Sequence, residues 1–325
     1  MSKAIRIHAY GGPEEMRWEE VEVGRPGPGE VLLRHTAVGL NFIDVYHRTG
    51  LYPLASLPGS IGMEAAGVVV EVGPEVSEVD VGDRVAYAMG APGSYCEERI
   101  YPSSRLVRLP DEIDDQHAAA MMLQGMTAQY LLRSTYRVKA GDTILIHAAA
   151  GGVGLIACQW AKHLGATVIG TVGNEAKAEL AKHHGCDHPI VYSRENFVER
   201  VKEITSGKGV PVVYDGVGKD TFYQSLDCLQ PRGLLASFGQ SSGAIGPVDL
   251  GILAAKGSLY VTRPTLGTYA ASRPDLLHCA KELFEVVASK AVKIEINQTY
   301  PLSQAAQAHR DLEARKTTGS TVLLP

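Results

Sequence analysis

The chain has 325 residues, of which 45% are hydrophobic and 21% charged, and a formal net charge of −5. That length exceeds what one ordinary core holds, so two domains are expected, and the composition excludes a disordered or fibrous protein. The acidic balance argues against nucleic acid as the main partner, because neutralising phosphates needs a basic surface.

The first third reads as short strands broken by turns. KAIRIHAY, MRWEEVEV, EVLLRHTAV, AAGVVVEVG and DRVAYAM are rich in β-branched residues, and GGP, GRPGPGE and VGPEV supply turn dihedrals between them. An antiparallel, barrel-like domain is expected here. Near Asp115 the character changes. DDQHAAAMMLQGMTAQYLLRSTYR is helical by periodicity and by its Ala, Met and Leu content. Strands then alternate with helices: DTILIHA, a helix to Gly165, TVIGTV, a helix to Gly185, HPIVY, ENFVERVKEITSG, VPVVYDGVG, TFYQSLDCL, GLLASFG, LGILAAKG and SLYVTR. Such alternation gives a parallel sheet covered on both faces, an α/β fold. The tail adds helices through DLLHCAKELFEVVASK and SQAAQAHRDLEAR and ends in STVLLP.

Thr143 to Ala161 carries no Asp, Glu, Lys or Arg. Its Ala and Gly content, with His147 and Gln159 inside, argues against a membrane span, and none is expected. The stretch instead places Ala150, Gly151, Gly152, Val153 and Gly154 between a strand and a helix. That is where a dinucleotide-binding turn belongs: small residues admit a diphosphate to the amides and dipole of the helix start. A plain tight crossover would also use small residues. About 20 residues on, an NAD site places Asp or Glu at the end of the second strand. Here Gly173 and Asn174 stand there, with Lys177 behind, a pattern that favours the 2′-phosphate of NADP. Glu175 would serve a ribose if the strand ran longer, and Lys177 also reads as a solvated helix lysine.

The five cysteines, Cys96, Cys158, Cys186, Cys228 and Cys279, form no CxxC pair. Neither a disulfide framework nor a thiolate zinc cage is expected. The opening MSKAIRIHAYGG has no apolar signal core, and a reducing cytoplasm fits best.

GDTILIHAAAGGVGLIACQWAK, NFIDVYHRTGLYP, YDGVGKDT and SLYVTRP together resemble the zinc-independent quinone oxidoreductase and zeta-crystallin branch of the medium-chain dehydrogenase/reductase family, over essentially the whole chain. The resemblance implies a GroES-like catalytic domain (residues 1–125 and 266–325) and a Rossmann NADPH-binding domain (126–265). It implies NADPH as cofactor, with Thr127 and the segment Phe238, Gly239 and Gln240 on the nicotinamide side and Gly152 and Val153 at the pyrophosphate. Lys177, Tyr192 and Arg315 would surround the 2′-phosphate. Gly216, in the turn Asp215 to Gly218, lies at the carboxyl edge where open α/β sheets bind ligands. Arg315 also reads as an ordinary helix-end cation.

The zinc alcohol dehydrogenases of the superfamily carry a GHE motif, whereas this chain reads GMEAAG, with Met63 in place of the histidine and Glu64 beside it. A thioether is a poor partner for divalent zinc. No metal site is expected, and His35, His47 and His117 read as surface or hydrogen-bonded residues. Without zinc, the acceptor oxygen needs a hydrogen-bond donor. By resemblance Asn41, Tyr46 and Tyr52 border the nicotinamide pocket and are the candidates, with Asp44 as a cap of the short helix. Each tyrosine also reads as a packing residue. A Gly-Lys pair common before the last strand of the superfamily is replaced by TGSTVLLP.

The expected activity is NADPH-dependent reduction of quinones; the alternative is reduction of the double bond of 2-alkenals or enones. Non-catalytic alternatives are a crystallin-like or AU-rich-RNA-binding role, the latter disfavoured by charge. The exposed strand Ser258–Arg263 is expected to pair with its copy in a homodimer.

Overall fold

The computed structural model describes residues 2–325. The chain forms two compact units. One comprises the chain to Gln124 with Ala270–Lys281 and Ile294–Pro325, and the other Gly125–Tyr269 with Glu282–Lys293.

In the first unit β1 (Ser2–Ile7) pairs antiparallel with β2 (Met16–Val21). β3 (Glu30–Leu40) leads into α1 (Phe42–Thr49), and the two-residue β4 (Gly59–Ser60) joins β1. β5 (Glu64–Val72), β6 (Arg84–Ala88), β7 (Glu98–Pro102) and β8 (Val107–Arg108) follow, and α2 (Asp115–Tyr130) begins in this unit. β3 is the hub: it pairs antiparallel with β5 and β7, and β5 pairs with β6. Val31, Leu33, Ile61, Val69, Val85, Tyr87 and Leu106 fill the core, as expected where alternate residues of each strand face inward.

The second unit begins at Gly125, within α2, which passes into a π-helical turn at Leu131–Thr135. β9 (Thr143–Ile146), α3 (Gly152–His163), β10 (Thr167–Val172), α4 (Glu175–His183) and β11 (His188–Val191) come next. α5 (Phe197–Ile204), β12 (Val210–Asp215), α6 (Phe222–Asp227), β13 (Leu229–Ser237), α7 (Gly251–Ala255), β14 (Tyr260–Thr262) and α8 (Leu266–Tyr269) complete the alternation. The six strands run parallel in the order β11-β10-β9-β12-β13-β14. Counted from β9 this is 3-2-1-4-5-6, the order of a doubly wound dinucleotide-binding sheet, whose switch point lies between β9 and β12. Leu145, Ile169, Ile190, Val213 and Leu235 form its centre.

α9 (Arg273–Ala288) precedes the closing elements of the first unit, β15 (Ile296–Pro301), α10 (Ala305–Glu313) and β16 (Ser320–Leu324). β16 pairs parallel with β15 and antiparallel with β3. The charge-free run 143–161 is β9, a turn and most of α3, and no helix among the described residues is long and apolar enough to cross a membrane. All five cysteines are buried.

Candidate functional site

The candidate residues fall into both units. In the second unit the turn after β9 crosses into α3 through Ala148, whose φ of 54° is left-handed. Gly151 is the N-cap of α3, and Gly152 and Val153 are its first residues, so their amides have no intrahelical acceptor. Gly154 is bare for a steric reason: a Cβ there would stand 2.3 Å from the Ala148 carbonyl oxygen and 2.8 Å from Ala149. The helix start is thus pressed against its own turn. Ala150 is buried beneath it.

β10 ends at Val172, so Gly173 stands immediately after the strand and Glu175 is already in α4. The Tyr192 hydroxyl lies over Gly173, 3.0 Å from where a Cβ would be. Ser193 Oγ donates to the Gly173 carbonyl at 3.2 Å. Asn174 caps α4, its Oδ1 accepting the Lys177 amide at 2.9 Å. Lys177 therefore leaves from the first turn. Gly173, Asn174, Lys177 and Tyr192 are brought together at the carboxyl ends of β10 and β11.

At the carboxyl end of β12 the buried Asp215 accepts from the Val217 and Gly218 amides at 2.8 and 3.1 Å and from the Thr221 hydroxyl. This sets the turn around Gly216. A Cβ on Gly216 would meet the Phe238 ring at 3.0 Å, and one on Gly239 would stand 2.5 Å from the Gly216 carbonyl oxygen. Gly216, Phe238 and Gly239 are thus in mutual contact, with Gln240 next along the chain. Arg263 Nη1 donates to the Ser237 and Gly239 carbonyls, both at 2.8 Å, and holds the end of β13. Thr127 is buried in α2.

In the first unit Asn41 is the N-cap of α1 and its amide N–H donates to Asp44 Oδ2 at 2.9 Å. Its side chain belongs to a directed chain. Ser320 Oγ donates to Gln124 Oε1 at 2.7 Å, Gln124 Nε2 to Asn41 Oδ1 at 3.1 Å, and Asn41 Nδ2 to Glu64 Oε2 at 2.7 Å. Only one of the two Nδ2 hydrogens serves Glu64. Glu64 Oε1 accepts the Leu123 amide at 2.6 Å. Burial, resisted by these donors, pushes the Glu64 carboxyl up to about 8.

A second chain holds α1 from behind. Arg48 is 1% exposed and pairs with Glu313, and its Nη1 donates to His309 Nδ1 at 2.9 Å. Since guanidinium only donates, His309 carries its hydrogen on Nε2 and gives it to Tyr95 Oη at 3.0 Å. Tyr95 then donates to Asp44 Oδ2 at 3.0 Å. Burial first, and the Arg48 charge second, bring His309 down to about 3, while burial raises Asp44 to about 7. Tyr46 and Tyr52 stack edge to face with centroids 5.3 Å apart, and the Tyr52 amide donates to the Tyr46 carbonyl. Tyr46 is buried and Tyr52 half-buried. Arg315 also belongs to this unit and follows α10 in left-handed backbone, φ 57°.

The family model described as "Alcohol dehydrogenase GroES-like domain" matches residues 27–138 and the one described as "Zinc-binding dehydrogenase" residues 152–281. A quinone oxidoreductase of Pseudomonas aeruginosa is 57% identical over 325 residues, covering all of both chains. The chain belongs to the zinc-independent quinone oxidoreductase branch of the medium-chain dehydrogenase/reductase family. Within that branch, the solved structure of Escherichia coli quinone oxidoreductase complexed with NADPH aligns with a TM-score of 0.98 at 50% identity, covering 99% of this chain and 100% of that one. A 2-haloacrylate reductase of Burkholderia is 51% identical and covers all of this chain and 99% of the other.

The word zinc in the second family description meets a donor set unsuited to it. Met63 is buried and offers a thioether. Among the described residues no group of three or more His, Cys, Asp or Glu is placed to hold a metal. His35 bonds the Cys96 carbonyl and Tyr87, and His117 pairs with Asp114. Sequence reasoning missed Gln124, Tyr95, His309, Arg48 and Arg263, which lie far along the chain from the residues they hold. Glu64 was visible as the residue after Met63, but its tie to Asn41 was not.

Proposed function

We propose that the chain is an NADPH-dependent quinone oxidoreductase, in which NADPH and a proton convert a quinone to its hydroquinone and NADP⁺. The observation that carries this is Gly154, whose missing Cβ lets the α3 start close on Ala148 and Ala149 and leaves the first amides of a 12-residue helix at the switch edge of the sheet. That cradle fits a diphosphate. The cofactor, when bound, supplies the hydride.

The chain's own residues bind and orient. The amides of Gly152 and Val153 take the diphosphate. Lys177, Tyr192, Asn174 and Gly173 take the 2′-phosphate, while Thr127, Gly216, Phe238, Gly239 and Gln240 line the nicotinamide side. Asn41, Tyr46 and Tyr52 assist the acceptor oxygen: the second Nδ2 hydrogen of Asn41 and the two phenols are donors, and the rings offer a flat apolar surface. Glu64 and Gln124 fix the Asn41 amide so that its donor is presented without reorganisation. The assignment of 126–265 as the nucleotide-binding domain and 1–125 with 266–325 as the catalytic domain is supported by the main division of the two compact units near Gln124 and Tyr269, although Glu282–Lys293 groups with the second unit. β14, with Tyr260 and Val261 exposed, supports a homodimer in which this edge pairs antiparallel with its copy about a two-fold axis.

The test is NADPH oxidation with 1,4-benzoquinone and, separately, with a short enone. Turnover of the quinone is expected; no oxidation with either acceptor would reject the reading. The relative that reduces 2-haloacrylate supports a second reading, reduction of an electron-poor carbon–carbon double bond, and preference for the enone would select it.

A further inference from the structure

Glu175 opens α4 two residues after Gly173 and two before Lys177, so its Cα lies within roughly 7 Å of each along the chain. A carboxylate there is the group that would accept a ribose 2′-hydroxyl and repel a 2′-phosphate. It is paired across the strand ends: Arg194 Nη1 donates to Glu175 Oε1 at 2.6 Å. The parallel register sets Val172 opposite Val191. The turn that follows, closed by the Arg194 amide on the Val191 carbonyl and by Ser193 on Gly173, delivers the guanidinium. Nothing in the helix start needs this pair, since Asn174 already caps α4 and an acidic first turn suits the helix dipole unaided. Both side chains are more than half exposed, at 68% and 58%, so the pair contributes little to folding.

We propose that Arg194 determines the cofactor specificity of this chain by neutralising Glu175 at the 2′-phosphate subsite. The inference rests on the NADPH reading above. An unpaired Glu175 stands within one Debye length, about 8–10 Å, of the residues that bracket the phosphate, so its charge acts there only partly screened. Paired with Arg194, the position is electrically neutral.

The test is calorimetric binding of NADP⁺ and NAD⁺ to the wild-type chain, Arg194→Ala, Glu175→Ala and the double variant. Arg194→Ala should weaken NADP⁺ about ten-fold, a change of about 1.4 kcal/mol, and leave NAD⁺ unchanged or tighter. The loss should shrink in high salt, as an exposed charge effect does. Adding Glu175→Ala should return NADP⁺ affinity close to the wild-type value. An unchanged ratio in Arg194→Ala, or equal loss of both nucleotides, would overturn the inference. So would a double variant as weak as the single one, because Arg194 would then act on the phosphate itself. A wild-type chain that binds neither nucleotide would instead remove the parent reading, and this one with it.

Discussion

Asn41 and Glu64 grip each other in the interior of the first unit: the amide donates to the carboxylate at 2.7 Å, and neither residue is more than 5% exposed. Burial holds the Glu64 carboxyl near 8, far above the 4.5 of the unfolded chain. Between about pH 4.5 and 8 the native state therefore keeps a proton that the unfolded chain has lost. Native stability attributable to this group declines as pH rises through that window and is level above it. Glu64→Gln cannot ionise. Its melting temperature relative to wild type should improve between pH 5 and pH 9, measured by calorimetry at both. A constant difference would show that Glu64 stays charged throughout.

Tyr95→Phe removes the hydroxyl that joins His309 to Asp44. His309 Nε2–H loses its acceptor and Asp44 one of its donors, in a site without water access, at a cost of about 1–3 kcal/mol. The quinone kcat should fall with the displaced α1, while the dissociation constant for NADPH stays unchanged. A fall in nucleotide affinity of the same size would contradict the placement of this chain of bonds behind α1.

Gly154→Ala forces a methyl group against backbone atoms that have no room to yield. Destabilisation of about 1–3 kcal/mol is expected, together with loss of NADPH binding. Denaturant titration and nucleotide titration measure the two. A variant that keeps full affinity would show that the turn does not seat the diphosphate.

Lys177→Ala should raise the Michaelis constant for NADPH and leave that for NADH largely unaffected. Charge-assisted contacts to phosphate are worth about 1.5–3 kcal/mol, so the preference should fall about ten-fold or more. Equal losses would reject the assignment of this lysine.

Val261→Lys places a charge on the exposed edge strand beside Tyr260. If that edge joins two copies, light scattering should give a dimer for wild type and a monomer for the variant. A wild-type chain that is monomeric at micromolar concentration refutes the pairing.

Much of the second unit was legible in the sequence because its strands are buried on both faces. TVIGTV reads as a strand from its β-branched residues and is β10 to the residue. Gly165 and Gly185, both at positive φ, mark where α3 and α4 stop. β7 and β15 were not legible. ERIYP and INQTYP are half-buried, polar and closed by proline, and they are strands because β3 and β16 lie beside them. The site divides the same way. The glycines announce themselves through local geometry. The pairs Asn41–Glu64 and Glu175–Arg194, and the link from Arg48 to His309, depend on register and packing that no window of sequence contains.

The concealment of the five thiols has a chemical corollary. Quinones and enones are soft electrophiles that arylate or alkylate exposed thiolates. Here burial lifts Cys96 and Cys228 to about 12, and the hydrogen bond with Cys186, with burial, holds Cys158 high as well. Thiols held buried and protonated in this way are poor nucleophiles, which protects Cys96, Cys158 and Cys228 from arylation by the compounds the enzyme consumes.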